Sequence, residues 1–535
     1  MRILITGEGQ IPIPMFMDPF CEELAFPTIW FGHPRGTPPS NVRLSFDDFV
    51  NSEIRRSDRR ACRPDHLLFL HKKSQIAQLM RQVNIVLRKS AQTNNITAAD
   101  VMNQQFIDNA IMRDNAYKFM SSITGSPAYW ENQKKKVLAM VRQLGTFTIF
   151  LTLSAAETHW GELLSILKRT VDKEIVSIED AAKLTFEEKA RLIRTDPVTC
   201  AQYFDHRFKH IRKAWTNVEN GPFGNYRVAH YFYRIEFQHR GSPHVHMVLW
   251  LQDAPIYDVE KPESEQSVVE FIDTLITTDG SDPELQNLIK FQFHKCSFTC
   301  KRVVKGVEVC RFNAPFYPMD RTRVIEPIPK DAKFTADVAR KMRKIKKDVD
   351  ELLRTDMESI DSFEKFLEKL GCTLDEYITV VRIHTKHRKI YLKRNPKDNR
   401  INAYNKKILM MMRSNMDIQY VLDVYSCIGY VVDYINKSSR GLSRLLRQCV
   451  EDSRRGNHNL RVQLRSLSQI LYNSSETSAQ EAAWCRCRLP MACTSVFVEF
   501  ISSGPVSVNI LKYEQNLNIF NAKFSHLIFR RDKEC

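Results

Sequence analysis

Two histidines separated by one residue lie in an apolar segment of the stretch EFQHRGSPHVHMVLW, residues 236–250. Successive side chains of a β-strand point to opposite faces, so His244 and His246 are expected on the same face. Two neutral imidazoles and one carboxylate or amide oxygen can bind a divalent ion and leave positions open for substrate. The structural alternative is a pair of half-buried histidines held by hydrogen bonds.

The break between the two apolar runs predicts a β-hairpin, and the length of its loop decides which residue joins the histidines. With an odd loop around residues 240–242, Gln238 and Glu236 pair opposite His244 and His246 on the same face. With an even loop, a phenylalanine and a histidine take those positions. Metal chemistry favours the odd loop, in which Glu236 and Gln238 are equal candidates for the third ligand.

A second group of reactive side chains lies downstream, in CIGYVVDYINKSSRGLSRLL. Tyr430, Tyr434 and Lys437 are spaced by four and three residues, which places them on one narrow face of a helix. An amphipathic helix with tyrosines at the edge of the core would have the same pattern.

Together, the histidines and the tyrosines suit transesterification of a phosphodiester. A metal would polarise the phosphate while a phenolate attacks it, linking the protein to the 5′ phosphate and releasing a 3′ hydroxyl. Lys437 would lower the pKa of a phenol or neutralise charge on the phosphorus. The second tyrosine would permit a second strand transfer.

Three motifs in this sequence resemble those of the HUH-type replication-initiator endonuclease in Helitron rolling-circle transposases. They are EFQHRG with PHVHMVLW, the run FTIFLTLS, and YVVDYINK. The resemblance extends over most of residues 20–500, including EELAFPTIWFG near the start and SAQEAAWCRCRLP near residue 478. It implies a nuclease that cuts and rejoins single-stranded DNA at transposon ends.

Several expectations about fold and site follow from this resemblance. The fold would be α+β, with a ferredoxin-like antiparallel sheet as the nuclease palm. His244 and His246 would bind Mg²⁺ or Mn²⁺ with Glu236 or Gln238, and Tyr430 and Tyr434 would be the nucleophiles. The location would be nuclear, given the DNA substrate and the six Lys or Arg among residues 340–347.

The sequence departs from this family in one respect. Helitron transposases carry a helicase after the nuclease, but no Gly-Lys dipeptide occurs here, so the phosphate-binding motif G-x-x-x-x-G-K-[ST] is absent. We expect a nuclease portion without its motor, with a helicase supplied in trans as a further partner. The alternatives are a truncated or domesticated, catalytically silent DNA-binding remnant, and a zinc-organised protein-interaction module.

A cluster of soft metal ligands lies in FHKCSFTCKRVVKGVEVCRF. His294, Cys296, Cys300 and Cys310 fall within seventeen residues and suit structural Zn²⁺, with ordinary buried thiols as the alternative. The neighbouring basic and aromatic side chains would suit single-stranded DNA, or would form a solvated rim around a small apolar cluster.

Composition agrees with a nucleic-acid partner. The 535 residues carry 79 Lys or Arg against 62 Asp or Glu, a formal charge of +17, which favours a polyanion. Thirteen cysteines without a secretory leader favour a reducing compartment over a disulfide scaffold. No apolar run approaches the ~18–20 residues of a membrane-spanning helix, so we expect a soluble protein without a membrane partner.

The pattern along the chain predicts six regions. They are a mainly helical N-terminal region (1–130), the first part of the nuclease with the His-x-His hairpin (131–290), a Cys/His zinc segment (291–320), a charged helical insertion (321–410), the tyrosine helix that completes the nuclease (411–455), and a C-terminal extension (456–535).

Overall fold

A computed structural model describes residues 16–93, 119–422 and 476–498, apart from positions 17, 37–40, 43, 216, 218–220, 239–240, 299, 305, 330, 333, 356 and 358. Helices and strands are mixed throughout this part of the chain. The helices are α1 (Cys21–Ala25), α2 (Pro27–Trp30), α3 (Phe46–Glu53), α4 (Pro64–Thr93), α5 (Pro127–Leu144), α6 (Gly161–Leu167), α7 (Ile178–Lys183), α8 (Phe186–Thr195), α9 (Pro197–Ala214), α10 (Glu263–Leu275), α11 (Gln286–Ile289), α12 (Ala336–Leu352), α13 (Phe363–Leu370), α14 (Leu374–His384), α15 (Lys406–Met412) and α16 (Ala479–Arg486).

The strands form one antiparallel five-stranded sheet and two small two-stranded sheets. The strands are β1 (Ile149–Ser154), β2 (Val228–Phe237), β3 (Pro243–Leu251), β4 (Lys301–Val304), β5 (Val307–Cys310), β6 (Arg323–Ile325), β7 (Lys389–Tyr391), β8 (Met416–Tyr420) and β9 (Ala492–Thr494). The large sheet has the order β8-β1-β3-β2-β9, while β4 pairs with β5 and β6 pairs with β7. The predicted strand in TFTIFLTLS is β1, and the predicted hairpin is β2 and β3.

The connections define how the large sheet is built. Helices α6 to α9 connect β1 to β2, a short loop connects β2 to β3, and a long segment that begins with α10 connects β3 to β8. Counted in chain order without the edge strand β9, the four remaining strands lie in the order 4-1-3-2. Each neighbouring pair is antiparallel.

One face of the large sheet is apolar and packs against helices. Tyr233 and Ile235 of β2 and Val245 and Met247 of β3 all lie on this face and are almost fully buried. The ring of Phe208 in α9 meets that of Tyr233 edge to face, with centroids 5.0 Å apart. Successive side chains alternate between the two faces, so Glu236, His244 and His246 lie on the other face, which also carries the buried apolar residues Phe232, Val248 and Trp250.

A separate hydrophobic cluster lies in the predicted charged insertion. Phe363 and Phe366 of α13 pack on Tyr377 of α14, with ring centroids 5.7 and 5.6 Å from the tyrosine. Met342, Ile345 and Val349 of α12 also belong to this cluster, because they recur at three- and four-residue spacing on one side of the helix. The basic residues of α12 occupy its other side, as an amphipathic pattern predicts.

A buried ion pair joins the N-terminal region to α9. Nε of Arg59 donates a hydrogen bond to Oδ2 of Asp196 at 2.9 Å, and Nη2 donates one to Oδ1 at 2.7 Å. Asp196 also caps α9, because its carboxylate accepts from the backbone N–H of Thr199 at 2.9 Å. Asp196 is 1% exposed, so its charge depends on this guanidinium for compensation.

Replacement of Arg59 by methionine should destabilise the protein strongly, because it leaves the Asp196 carboxylate buried and unpaired. We expect the free energy of unfolding to fall by about 3 kcal/mol. Urea denaturation followed by tryptophan fluorescence measures the change. Arg63→Met is the matched control, since Arg63 pairs with Asp65 at the surface, where such a pair contributes at most about 1 kcal/mol. Equal losses in the two variants would contradict this account of the junction.

Candidate active site and cysteine–histidine cluster

The β2–β3 hairpin places the two histidines and one acid on the polar face of the sheet. His244 pairs with Glu236, and His246 pairs with Arg234. Directly paired residues of antiparallel strands point to the same side, so all four side chains share that face. The loop between the two strands, residues 238–242, has an odd number of residues, as the metal chemistry favours.

The ladder nevertheless differs by two residues from the predicted pairing. His244 lies opposite Glu236 rather than Gln238, and Gln238 is exposed outside the strand. A tight turn explains the difference: the Gly241 N–H donates to the Gln238 carbonyl at 2.7 Å, and the Gln238 N–H donates to the Ser242 carbonyl at 3.1 Å. Gly241 has a φ of +89°, which favours glycine and fixes where the chain reverses.

Glu236 and His246 are in direct contact across the hairpin. Oε2 of Glu236 lies 2.8 Å from Nε2 of His246, and the two imidazole centroids are 4.6 Å apart. The side chain of His246 is 10% exposed and that of Glu236 is 25% exposed. Two imidazoles and a carboxylate therefore converge at a position that is sheltered but open on one side.

Opposing effects determine the ionisation of Glu236. Burial would raise the pKa of its carboxyl, but the hydrogen bond with His246 and the charges of His246, Arg234 and His244 outweigh burial. The net effect lowers the pKa of Glu236 to about 2. The carboxylate is therefore ionised at neutral pH, as a metal ligand must be.

Several residues on this face were not predicted from the sequence. Ser154 of β1 pairs with His244, and its hydroxyl lies 3.0 Å from Nδ1 of that histidine. Asp417 of β8 lies in the same row as His246, with Thr152 between them. Burial raises the pKa of Asp417 to about 6, although the amide of Gln419 opposes this by donating at 2.7 Å. The alternation within β1 was a usable signal for Ser154, whereas no local pattern indicates that β8 is a neighbour.

Arg234 is a further missed residue. It is 2% exposed, and its guanidinium carbon lies 4.0 Å from the ring centroid of Trp130 in α5. Its burial beside Glu236 places a positive charge next to the carboxylate. Burial raises the pKa of Glu481 in α16 to about 7, and Arg234 partly offsets this rise. The alternation Arg234, Glu236 in β2 could have identified the arginine as a residue of the site face.

The other predicted catalytic residues, Tyr430, Tyr434 and Lys437, lie outside the described residues. The last described position before them follows directly after β8, at residue 422. Strand β8 is a neighbour of β1 in the large sheet.

The four predicted zinc ligands lie together. The ligand atoms of His294, Cys296, Cys300 and Cys310 all lie within 4.8 Å of one another. In tetrahedral zinc sites with bonds of roughly 2.0–2.3 Å, ligand atoms are separated by roughly 3.5 Å, so only small movements would be needed. This cluster can hold a metal ion such as zinc.

Backbone N–H groups support the cysteines of this cluster. The Ser297 N–H donates to Sγ of Cys300 at 3.3 Å, and the Phe312 N–H donates to Sγ of Cys310 at 3.4 Å. N–H donors stabilise negative charge on sulfur, which a metal-binding thiolate carries. The donor set and its surroundings both suit a soft or borderline divalent ion.

A family model described as "Helitron helicase-like domain at N-terminus" matches residues 60–249, about a third of the chain. The match includes β1, β2 and both histidines, and it ends before the cysteine cluster. The chain is thus related to Helitron proteins through this N-terminal region, which indicates a transposase-related function on nucleic acid. No curated protein matches the chain. Within the described ranges, no helix has the length and apolar character needed to span a membrane.

Replacement of Glu236 by glutamine should reduce stability in a pH-dependent way. The carboxyl has a pKa of about 2 when folded and an ordinary value of 4.5, so its stabilising contribution is present above pH 4.5 and is lost as pH falls towards 2. We expect a deficit of about 3 kcal/mol at pH 7 that shrinks as the pH falls from about 4.5 towards 2. Urea denaturation at several pH values measures it. Glu284→Gln, at an exposed position, is the control, and a deficit independent of pH would contradict the assignment.

Proposed function

We propose that the protein is an HUH-type endonuclease that cuts and rejoins single-stranded DNA through a covalent phosphotyrosine link. The observation that carries this proposal is the convergence of Glu236, His244 and His246 on the polar face of the antiparallel sheet. The match to a Helitron-like N-terminal region over the same strands supports it. The substrate would be single-stranded DNA at transposon ends.

The topology of the sheet also supports the proposal. Strand order 4-1-3-2, with helices in both crossovers, is that of the ferredoxin-like β-α-β-β-α-β fold. Helix α9 packs on the apolar face, and Trp130 of α5 covers Arg234 on the opposite face. A nucleic-acid strand would therefore approach the histidine face beside α5, where His244 and Glu236 are partly exposed. The proposed palm comprises β1, β2, β3 and β8.

The donor set fits a divalent cation such as Mg²⁺ or Mn²⁺. Glu236, His244 and His246 would hold it, and when bound it would polarise a phosphate oxygen of the DNA. Arg234 helps to keep Glu236 ionised, and the Ser154 hydroxyl orients the His244 ring through Nδ1. These contacts fix the two side chains before a metal or DNA is bound.

The proposed nucleophiles are Tyr430 and Tyr434. A phenolate oxygen would attack the phosphorus, so that a P–O bond to tyrosine forms and the P–O bond to the 3′ oxygen breaks. The departing 3′ oxygen takes up a proton and becomes a hydroxyl, and attack by a 3′ hydroxyl on the phosphotyrosine reverses the step. Lys437 would offset negative charge on the phosphorus.

A covalent adduct assay tests this chemistry directly. With Mn²⁺ and a set of labelled single-stranded oligonucleotides, the wild-type protein should form an adduct that survives denaturation. The double variants His244→Ala with His246→Ala, and Tyr430→Phe with Tyr434→Phe, should form none, because each lacks a component of the reaction. Adduct formation that persists in both double variants would refute the mechanism.

The same assay decides which residue completes the metal site. Glu236→Ala should reduce the rate of adduct formation by at least about 100-fold, because it removes the charged donor beside His246. Gln238→Ala should remain within about twofold of the wild type, since Gln238 is exposed outside the strand. The reverse ranking would exclude Glu236 as the third ligand.

A second function is favoured by two observations. The family match ends at residue 249, whereas both tyrosines lie far beyond it, and the chain has a formal charge of +17. A silent remnant would bind DNA through charge alone. Salt-dependent retention of oligonucleotides, with no adduct under any divalent metal, is the result that would favour this reading. For either function we propose a nuclear location, and for the active enzyme a helicase supplied in trans.

We further propose that His294, Cys296, Cys300 and Cys310 bind one structural Zn²⁺. Metal analysis of purified protein should find about one zinc per chain, and Cys300→Ser with Cys310→Ser should lose it, because both buried sulfurs are ligands. Cys372→Ser is the control, since Cys372 packs in the separate cluster of α12 to α14. Full zinc content in the double variant would refute the assignment.

A further inference from the structure

The segment 294–312, which we call the Cys/His hairpin, is strongly basic. It contains Lys295, Lys301, Arg302, Lys305 and Arg311 against the single acid Glu308. Strands β4 and β5 form its arms, and Cys300 and Cys310 form a small buried base. A short hairpin with this excess of positive charge attracts a polyanion.

The hairpin also exposes apolar side chains. Phe298 is 87% exposed, Val303 is 71% exposed and Phe312 is 49% exposed. Phe312 is held in place, because the guanidinium carbon of Arg311 lies 4.6 Å from its ring centroid and the His294 ring lies 5.3 Å away. Exposed aromatic rings beside arginines are the composition of surfaces on which the bases of single-stranded nucleic acid stack.

A chain of hydrogen bonds connects the hairpin to the end of the sheet where His244 lies. The Ser154 N–H donates to the Asn415 carbonyl at 3.0 Å, and Nδ2 of Asn415 donates to the Phe291 carbonyl at 2.8 Å. The ring of Phe291 also packs against His159, just after β1, with centroids 5.0 Å apart. His294 follows Phe291 by three positions, a span of at most about 11 Å.

The hairpin has a second anchor at its base. The His294 N–H donates to the Arg400 carbonyl at 2.7 Å, and the Phe316 N–H donates to the Asn399 carbonyl at 2.6 Å. The first residue of the hairpin and the chain four residues after its end are thus tied to residues 399–400, which precede α15 and β8. The hairpin is therefore fixed near the His244 end of the sheet.

We propose that the Cys/His hairpin is a single-stranded DNA-binding surface that holds nucleotides flanking the phosphodiester at the histidine site. Arg302 and Arg311 contact phosphates, and bases stack on Phe298 and Phe312. A duplex is disfavoured, because its bases are stacked on each other and do not reach these rings. The inference rests on the proposed function for the strand being cut, but the binding itself needs no cleavage.

Fluorescence anisotropy with a labelled single-stranded oligonucleotide tests the surface. The full chain is used with Tyr430→Phe and Tyr434→Phe in the background and without Mn²⁺, so that no covalent link forms. Adding Phe298→Ala, Arg302→Gln and Arg311→Gln should raise the Kd at least about 10-fold. The slope of log K against log salt should become shallower by about 1.4, for two lost phosphate contacts.

The matched control adds Phe334→Ala, Arg340→Gln and Arg343→Gln, which remove the same residue types from exposed positions at α12. Its Kd should stay within about twofold of the parent. Zinc content is measured on every variant. If the triple variant loses zinc, the single variant Arg302→Gln is used instead, because Arg302 lies on the hairpin face opposite Cys310. This single variant should raise the Kd about threefold.

An unchanged Kd in the Arg302→Gln variant, or an equal loss in the α12 control, overturns the proposal. Stronger retention of duplex than of single strands does the same. Absence of an adduct in the wild-type protein would instead refute the proposed catalysis and leave this binding result standing.

Discussion

The contact between Glu236 and His246 is the interaction on which the candidate site depends. Two adjacent antiparallel strands place an acid and two imidazoles on one face, and the five-residue loop sets which acid faces which imidazole. A shift of the register by one residue would turn His244 and His246 to the face that packs on α9 and would put Val245 and Met247 in their place. The turn at Gly241 is therefore as important to the site as the ligands themselves.

The charge of Glu236 depends on the buried cation beside it. Arg234 has almost no exposed surface, yet its charge lies beside Glu236 and over the ring of Trp130. A buried cation is costly unless other groups compensate it, and here the carboxylate and the aromatic face both do so. The same charge keeps Glu236 ionised, so the stability of the sheet and the proposed chemistry depend on one set of contacts.

The large sheet also organises the parts of the chain that lie far apart in sequence. Strand β8 joins the edge next to β1, and the loop before it carries the hydrogen bonds that reach Phe291 and the Cys/His hairpin. Both candidate metal sites are consequently attached to one end of one sheet. In the proposed enzyme, one would act on the phosphodiester and the other would organise a surface that holds the strand.

Local patterns in the sequence were sufficient for several features. Alternation predicted that His244, His246 and Glu236 share a face, and the close spacing of His294, Cys296, Cys300 and Cys310 predicted a cluster that can hold a metal. The mixture of helices and strands was also expected from local patterns, whereas the antiparallel sheet was expected from the resemblance to the HUH endonuclease of Helitron transposases. Such features depend on residues near each other in the chain, whose relative positions the backbone geometry of a strand or a short hairpin largely determines.

Other features were decided only by the tertiary structure. The exact pairing of Glu236 with His244, the position of Ser154 beside that histidine, and the presence of Asp417 on the same face depend on strand neighbours and loop geometry. Asp417 is separated from His246 by 171 positions, and no periodicity in either segment predicts that both residues align with Thr152 of β1. Long-range pairing is set by which packing of all the elements buries the most apolar surface, so it emerges only when the whole chain is folded.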